Sequence, residues 1–547
     1  MKTLRFFLSL GLAALVALTA FAKDAKPKKP KATDAEKARW ETEVKSFFEG
    51  TNVLTIDIQI PPAGIKALEA YQWQWNQKEV TRPTALATIK EGGHTYTNVD
   101  IHLKGSAGSF RSINDNPAMT LTFSKESKLQ RFHGLDKLSL NNSVQDSTLV
   151  SEKLCREVFL TAGIPTPRAG HALVTLNGRK LGMYVLLEGF NKAFVARHFK
   201  NTSGNLYDGG FVKDINAHYD TNSGDHPEDQ SDLKALLAAV GEKDLAKRRT
   251  ALGKSLDVDR FLTYLALDVM LWNWDGYAMN KNNYRIFSDK DSGRLIFMPH
   301  GLDQMFWKPD GPILPSMQGM VARSVLEVPE YRAAYLDKIR QLRKTVFTAE
   351  KLTNRVNQIT AFLQPALRSH EASAADNQKS DVENYVTQIA SRVKNIDRQL
   401  ASMDNRINFG TNGQVNLVGW ESRKVFSNPA LEQTRSGEKA LLRSAANGST
   451  IGLWRTSAWL EEGKYVLQGR VKTTGIKGDP GDSHPGVSLH VAGQRAPKPL
   501  LGDADWNDFK FEFSVSDPMA EVEFVAELRA SAGEALFDQS SLQLLKR

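Results

Sequence analysis

Apolar and polar positions alternate over residues 51–60 (TNVLTIDIQI), and Pro61-Pro62 ends the run, as expected of a half-buried strand. Residues 34–50 before it carry the spacing of a short amphipathic helix, and a second helix is predicted over 63–75. Alternation resumes in TALATIKEGGHTYTNVDIHLKG, where Gly92-Gly93 marks a hairpin turn, and continues in MTLTF and KLSLN. DSTLVSEKLCREVFLTAG then switches to a helical stripe, with Asp146 and Ser147 at its start and Gly163 at its end. HALVTLNG and KLGMYVLLEG follow as two strands joined at Asn177-Gly178, a strong two-residue hairpin signal. After a short helix at 191–198, the Gly/Asp/Asn-rich segment GNLYDGGFVKDINAHYDTNSGDHPEDQ reads as a long surface loop.

From residue 231 to 270 the period is helical and ends in FLTYLALDVMLW, apolar enough for a central buried helix. Two strand-like runs, 284–287 and 294–298, flank a turn at 289–293. Residues 317–403 are helical again, with HEASAADNQKSD as a polar interruption. After Asn405 helical periodicity does not return. Residues 417–547 show short alternating strands between turn residues, the pattern of a β-sandwich.

At 547 residues the chain calls for two to four domains, and its 41% apolar and 9% aromatic content is that of a globular protein. Residues 1–22 read as a secretory signal peptide: Lys2 and Arg5, an apolar run, then Ala20-Phe21-Ala22 as a small-x-small cleavage site. Export places the protein outside the cytoplasm: secreted, periplasmic or at the cell surface. No Cys follows the run to carry a lipid anchor, and no later segment is apolar enough to cross a bilayer. Much of the formal charge of +9 lies in the Lys/Pro/Ala tether KDAKPKKPKATDAEKAR, which argues against a nucleic-acid surface. The one Cys, Cys155, excludes an internal disulfide and sits in a helical stripe as a packing residue. The expected organisation is thus signal peptide 1–22, basic linker and short helix 23–50, first domain 51–405, linker 406–416 and β-sandwich 417–547.

The chemistry concentrates in residues 268–306. Asp275, Asn280, Asn282 and Asn283 precede the predicted hairpin, and Gly301-Leu302-Asp303 follows it. Two carboxylates and several amides at the ends of one hairpin suit a hard cation, since Mg²⁺ takes few protein oxygens and shares the rest with phosphate and water. An acid, then an amide five positions on, then a second acid is also the order of ionic parts in phosphoryl transfer. A glycosidase would need two carboxylates but leaves the asparagines without a role. Trp272, Trp274 and His300 read as packing and positioning residues. Upstream, KGSAGSFRS places Gly105 and Gly108 between Lys104 and Arg111, a loop able to bring backbone N–H groups and two cations to an anion. Glu188 is the sole acid of an otherwise apolar strand and requires either exposure or a cationic partner. In the tail Trp420, Trp454, Trp459 and Trp506 are available to stack on sugar rings, although a small sandwich needs at least half of them for its core.

These segments together resemble a known family. LNNSVQDSTLVSEKL, VTLNGRKLGMYVLLEGFNKAFV, NLYDGG, NWDGYAMNKNNYRIF, MPHGLDQMF and VPEYRAAYLDKIRQL occur in the order found in the spore coat protein H (CotH) kinase-like family, over about residues 53–403. The resemblance implies an α+β architecture: a diverged protein-kinase-like domain, with an N-terminal antiparallel sheet and a helical lobe, before the all-β tail. It implies a secreted, atypical Ser/Thr protein kinase that uses ATP with Mg²⁺ or Mn²⁺ on a secreted or cell-surface protein. By position, Asp275 is similar to the catalytic-loop acid, Asp303 to the metal-binding acid, and Asn280 or Asn283 to the metal-side amide. Glu188 matches the acid closing the family's Y-x-L-x-E strand, and Asp146 the acid after the LNN motif. The family's Lys before the next strand is absent, since that strand begins Pro117-Ala118-Met119; Lys104 and then Arg111 are left as the cations for ATP. The tail resembles carbohydrate-binding jelly-roll modules, with Trp454, Trp459 and Trp506 as sugar-stacking residues and a polysaccharide as ligand. The alternative function is a non-catalytic adhesion or matrix protein built on the same scaffold.

Overall fold

The structure is a computed structural model that describes residues 32–75, 81–127, 129–404, 407, 409–410, 412–494 and 498–547. The expected signal peptide and most of the basic tether lie outside the described residues, as does part of the 406–416 linker. Seven strands open the fold: β1 (Leu54–Gln59), β2 (Thr84–Glu91), β3 (His94–Leu103), β4 (Met119–Thr122), β5 (Lys137–Asn141), β6 (Ala169–Leu176) and β7 (Arg179–Glu188). They form a closed barrel in the order β1-β2-β3-β4-β5-β7-β6. The resemblance implied an N-terminal antiparallel sheet. One parallel pair, β1 with β6 from Leu54↔Ala172 to Ile58↔Leu176, closes it and removes the free edges. Ile56, Ile58, Ile89, Val99, Ile101, Leu121, Leu138 and Leu186 fill its interior. The Asn177-Gly178 turn has both residues at positive φ, 49° and 80°, the backbone a two-residue hairpin demands. Asn177 also ties the seam: its side chain accepts from Ile60 N at 2.8 Å and donates to Ile60 O at 2.9 Å. The helix Asp34–Glu49 is capped by Thr33 and Glu36 and sends Val44 and Phe48 into the barrel core.

The second predicted helix is shorter than expected. It ends at Glu69, so Trp73 and Trp75 lie on irregular chain beyond it. The helix after β5 starts at Ser151, not at Asp146. Asp146 instead accepts from Thr148 N, Thr148 Oγ1 and Ser151 N at 3.1, 2.5 and 3.1 Å, so it still satisfies the first turn from a distance. The segment read as a surface loop contains β8 (Leu206–Asp208) and β9 (Asp220–Ser223). With β10 (Tyr284–Asp289) and β11 (Arg294–Pro299) these form a four-stranded antiparallel sheet, β11-β10-β8-β9. Around it packs a helical core centred on Val258–Met270, of which Phe261 to Met270 are all buried. Cys155 belongs to this core. Burial pushes its thiol up to about 12, so it is inert packing. The polar interruption breaks the C-terminal helices only at Glu371, between Ala349–His370 and Ala372–Asp404. Among the described residues no helix is long and apolar enough to cross a membrane.

The tail is all antiparallel: β12 (Gln414–Asn416), β13 (Glu421–Phe426), β14 (Ala430–Ser436), β15 (Lys439–Lys477), β16 (Gly486–Val491) and β17 (Gly502–Lys546). The two long strands bend, so that Asp538 pairs with both Leu441 and Arg470 and the sheet wraps one core. Trp454 and Trp459 are corrected by this arrangement. Trp454 is 2% exposed and donates to Ser444 Oγ at 3.0 Å. Trp459 is 5% exposed and donates to Ser402 Oγ at 2.8 Å, where the tail packs on the last helix. Neither ring has a free face for a sugar.

Candidate active site

The loop that carries Asp275 is built on the end of the helix Val258–Met270. Arg392, fully buried, donates to the carbonyls of Val269 at 2.9 Å and Met270 at 3.1 Å, and to Gly311 O. It therefore satisfies helix-end acceptors that no water reaches. Asp268, also fully buried, accepts from Asn273 Nδ2 at 2.6 Å and from Ala278 N at 3.4 Å, and so pins both ends of the turn. Burial pushes its carboxyl up to about 7. A Cβ on Gly276 would sit 2.6–2.7 Å from Asn273 and Asp268, so only glycine fits beside Asp275.

Three amides then converge on the Asp275 carboxylate. Asn280 Nδ2 donates to Oδ1 at 2.5 Å, and Asn282 and Asn283 donate to Oδ2 at 3.1 and 2.7 Å. Lys281 and Asn283 adopt left-handed φ of 56° and 51°, which curls the chain around the acid. Donation through nitrogen leaves the carbonyl oxygens of Asn280 and Asn283 as acceptors for a cation. The β10–β11 hairpin, in register from Tyr284↔Pro299 to Asp289↔Arg294, delivers Gly301-Leu302-Asp303. Ser151 Oγ donates to Leu302 O at 2.7 Å and locks this turn to the barrel-side helix Ser151–Thr161.

That helix contributes the acid that the sequence reading overlooked, Glu152. Asp275, Asn280, Asn282, Asn283, Asp303 and Glu152 line one cleft of about 860 Å³. The Asp303 carboxyl is pushed up to about 7, first by burial and then by Glu152 and Asp146. Among the described residues, no three or more His, Cys, Asp or Glu side chains cluster as a metal site. What this lining would offer a divalent ion is the Asp303 carboxylate and the amide oxygens of Asn280 and Asn283, a small set of hard donors that phosphate and water would have to complete. Crowded acids favour such an ion, since it relieves their mutual repulsion.

This has a pH consequence. Asp146, pushed up to about 6, and Asp268 and Asp303, pushed up to about 7, hold their protons more tightly in the folded than in the unfolded chain. Their contribution is therefore present at low pH and lost as pH rises from about 4 to 7. His102, His171, His198 and His300, held below the ordinary imidazole range by burial, act in the opposite sense, so the test is a comparison: between pH 5 and pH 7.5 the metal-free wild type should lose more Tm, or gain less, than Asp303→Asn. Mg²⁺ or Mn²⁺ should raise Tm more at pH 7.5. Calorimetric scans showing a metal shift independent of pH would contradict this assignment.

Next to the acids, Lys104, Lys137, Arg156, Arg285 and His300 surround a cavity of about 110 Å³ that also meets Glu188 and Asp208. Lys104 and Arg285 line the main cleft as well. Burial, with repulsion from Arg285, Lys137 and Arg156 beside the attraction of Glu152, draws the Lys104 ammonium down to about 8. Burial, then Arg285, Lys104 and Arg156, hold His300 well below its ordinary range, which favours the neutral ring. Arg285 Nη2 pairs with Asp208 at 2.8 Å, while Arg285 Nε and His300 Nδ1 are buried without a hydrogen-bond partner. Such an excess of buried positive charge is an anion site in electrostatic terms.

Of the two cations expected at the phosphates, Lys104 lines the cleft and Arg111 does not. Its guanidinium donates to Gly108 O at 3.0 Å and Phe110 O at 2.7 Å and lies 3.7 Å from Asp115, so it braces the loop instead of lining the cleft. Glu188 has the cationic partners it required, Arg197 at 2.5 Å and Arg168 at 3.4 Å, and borders the smaller cavity. Lys137, Glu152, Arg156, Asp208 and Arg285 were missed. Glu152 and Arg156 stand four apart, a spacing that on its own describes a solvated helix face.

A family model described as "CotH kinase protein" matches residues 103–399, more than half of the chain. The chain belongs to that family. Inner spore coat protein H of Bacillus subtilis is 23% identical over 292 residues, covering 49% of this chain and 78% of that protein. Invasin CotH2 of Rhizopus delemar is 22% identical over 308 residues, covering 50% of this chain and 51% of its own. This CotH family member therefore spans about half the length of the fungal relative. The CotH match covers Lys104, Glu188, Asp275 and Asp303 and ends before the tail. Over the tail, a solved structure titled TmCBM61 in complex with β-1,4-galactotriose is 13% identical, covers 26% of this chain and 99% of its own, and has a TM-score of 0.18. At that score it carries no argument.

Proposed function

We propose that this protein is an extracytoplasmic phosphotransferase, an atypical protein kinase that moves the γ-phosphoryl group of ATP to a Ser or Thr hydroxyl of a secreted or surface protein. One observation carries the reading: the amide-cradled Asp275 and the buried Asp303 share a cleft with Lys104 and Arg285. Asp275 would orient the acceptor hydroxyl and take its proton as the oxygen bonds to the γ-phosphorus and ADP departs. Its three amide donors hold it in one rotamer aimed into the cleft. Asp303, with the oxygens of Asn280 and Asn283, would hold Mg²⁺ or Mn²⁺, which when bound neutralises phosphate charge. Lys104, Arg285 and Lys137 would grip the phosphates, the role left open by the missing family Lys. The test is transfer of label from γ-labelled ATP to the purified protein and to candidate surface proteins with Mn²⁺ or Mg²⁺. No incorporation into any of them would sink the reading.

A non-catalytic adhesion or matrix role is the second reading, favoured by relatives named invasin. The spore-coat and invasin names also support a surface or extracellular location. In either case the tail would hold the protein near polysaccharide. The residue that supports this is Trp506, half-buried between Lys439 Nζ at 5.4 Å and the Arg470 guanidinium at 5.9 Å from its ring centre. Residues 417–547, which enclose their own core, are expected to be retained on an insoluble polysaccharide, less so after Trp506→Ala. Passage through a panel of glycans without delay would leave the tail a structural module.

A further inference from the structure

Three aromatic rings cluster on the cleft, and two of them, Trp75 and Phe211, stand without a core to fill. Trp75 is 67% exposed and Phe211 45%, and Trp73 beside them is half-buried against the barrel core. Trp73 and Trp75 have ring centres 4.8 Å apart at 74°, Trp73 and Phe211 6.5 Å at 71°, and Trp75 and Phe211 6.1 Å at 63°. The tryptophans come from the barrel side and Phe211 from the loop after β8. All three line the same cleft as Asp275.

Their exposure is built in. Asp208 Oδ1 accepts from Gly210 N at 2.9 Å, and a Cβ on Gly209 would come within 2.7 Å of the Tyr284 ring. Tyr284 Oη donates to Lys213 O at 2.9 Å, so both ends of the 209–213 turn are anchored. Within it Val212 is held at φ 54°, a conformation costly for a β-branched residue. The fold thus strains one residue and leaves Phe211 and Val212, 39% exposed, facing solvent.

We infer that these rings form a subsite for an apolar side chain flanking the acceptor hydroxyl of a peptide substrate. Their mutual angles decide the class of ligand. Near-perpendicular rings enclose a notch, whereas a pyranose face needs one flat, open platform. A notch of Trp and Phe walls suits Leu, Phe or Pro, and its place on the Asp275 cleft makes the acceptor segment the chain that would fill it. The inference rests on the phosphotransfer reading for what happens next, but not for binding itself.

The test uses the full chain and fluorescein-labelled Ser peptides with Leu, Phe or Pro beside the serine, against the same peptides with Gly there. Anisotropy should show the apolar peptides binding about tenfold more tightly. Trp75→Ala and Phe211→Ala should each erase most of that preference, whereas Asp275→Asn should leave it intact. Preference without any label transfer from ATP would keep the subsite and remove the kinase reading. Equal binding of apolar and Gly peptides, a preference that survives both aromatic substitutions, or competition by oligosaccharides alone would overturn the subsite.

Discussion

Asp303→Ala is expected to lower phosphate transfer from ATP by on the order of a thousandfold, with no loss of thermal stability at pH 7.5. The two halves of that result have one cause. Asp303 is buried beside Glu152 and Asp146, and its desolvation, followed by their repulsion, pushes its carboxyl up to about 7. An acid held so unfavourably is a liability to folding unless a cation arrives. Removing it would relieve the metal-free fold and, on the proposed reading, take away an acid that holds the ion. A residue kept for packing would show the reverse, a fall in Tm with activity scaling to the folded fraction. Equal incorporation by wild type and Asp303→Ala would detach Asp303 from the chemistry.

Glu152→Ala is expected to destabilise the protein by about 3–5 kcal/mol in urea titrations, the largest effect on stability among the charged residues of the cleft. Glu152 and Arg156 are each about 1% exposed and are joined by Arg156 Nε at 2.8 Å and Nη2 at 2.7 Å. Arg156 Nη1 also donates to Thr166 Oγ1 at 3.1 Å, so the guanidinium is held in place and cannot swing out to water. Loss of the carboxylate leaves a buried charge with no counter-ion, at the wall shared by the acid cleft and the cationic cavity. The double change Glu152→Leu with Arg156→Met should recover much of the stability, since an apolar pair carries no desolvation penalty. It should not recover phosphate transfer. A Glu152→Ala protein within 1 kcal/mol of wild type would show that water reaches Arg156.

Much of the site was legible because it is contiguous. Asp275, Asn280, Asn283 and Asp303 lie within one helix end and one hairpin, and strand alternation with a turn at 289–293 was enough to bring them together. The Asn177-Gly178 hairpin was legible for the same reason, as a local demand for positive φ. Arg111 shows the limit of reasoning from a loop's composition. A cation at a loop's end can point into a site or brace the loop, and the nearby carbonyls and Asp115 took it.

The chain's own pattern therefore determined the strands, the central helix, the acid-and-amide hairpin and membership of the CotH family. Tertiary structure alone decided which faces were covered. Helical spacing marks Glu152 and Arg156 as neighbours on one face, but only packing of that helix on nearly all sides turned the pair into a buried cleft wall. Alternation marks β1 and β6 as strands, yet their parallel pairing joins residues about 118 apart, beyond any local signal. The same holds for the tryptophans. Trp454 and Trp459 met a core and a helix and Trp73 an edge of the barrel core, while Trp75 stayed exposed beside Trp73 and Phe211. Periodicity reports which residues share a side; burial depends on what the rest of the chain brings to that side.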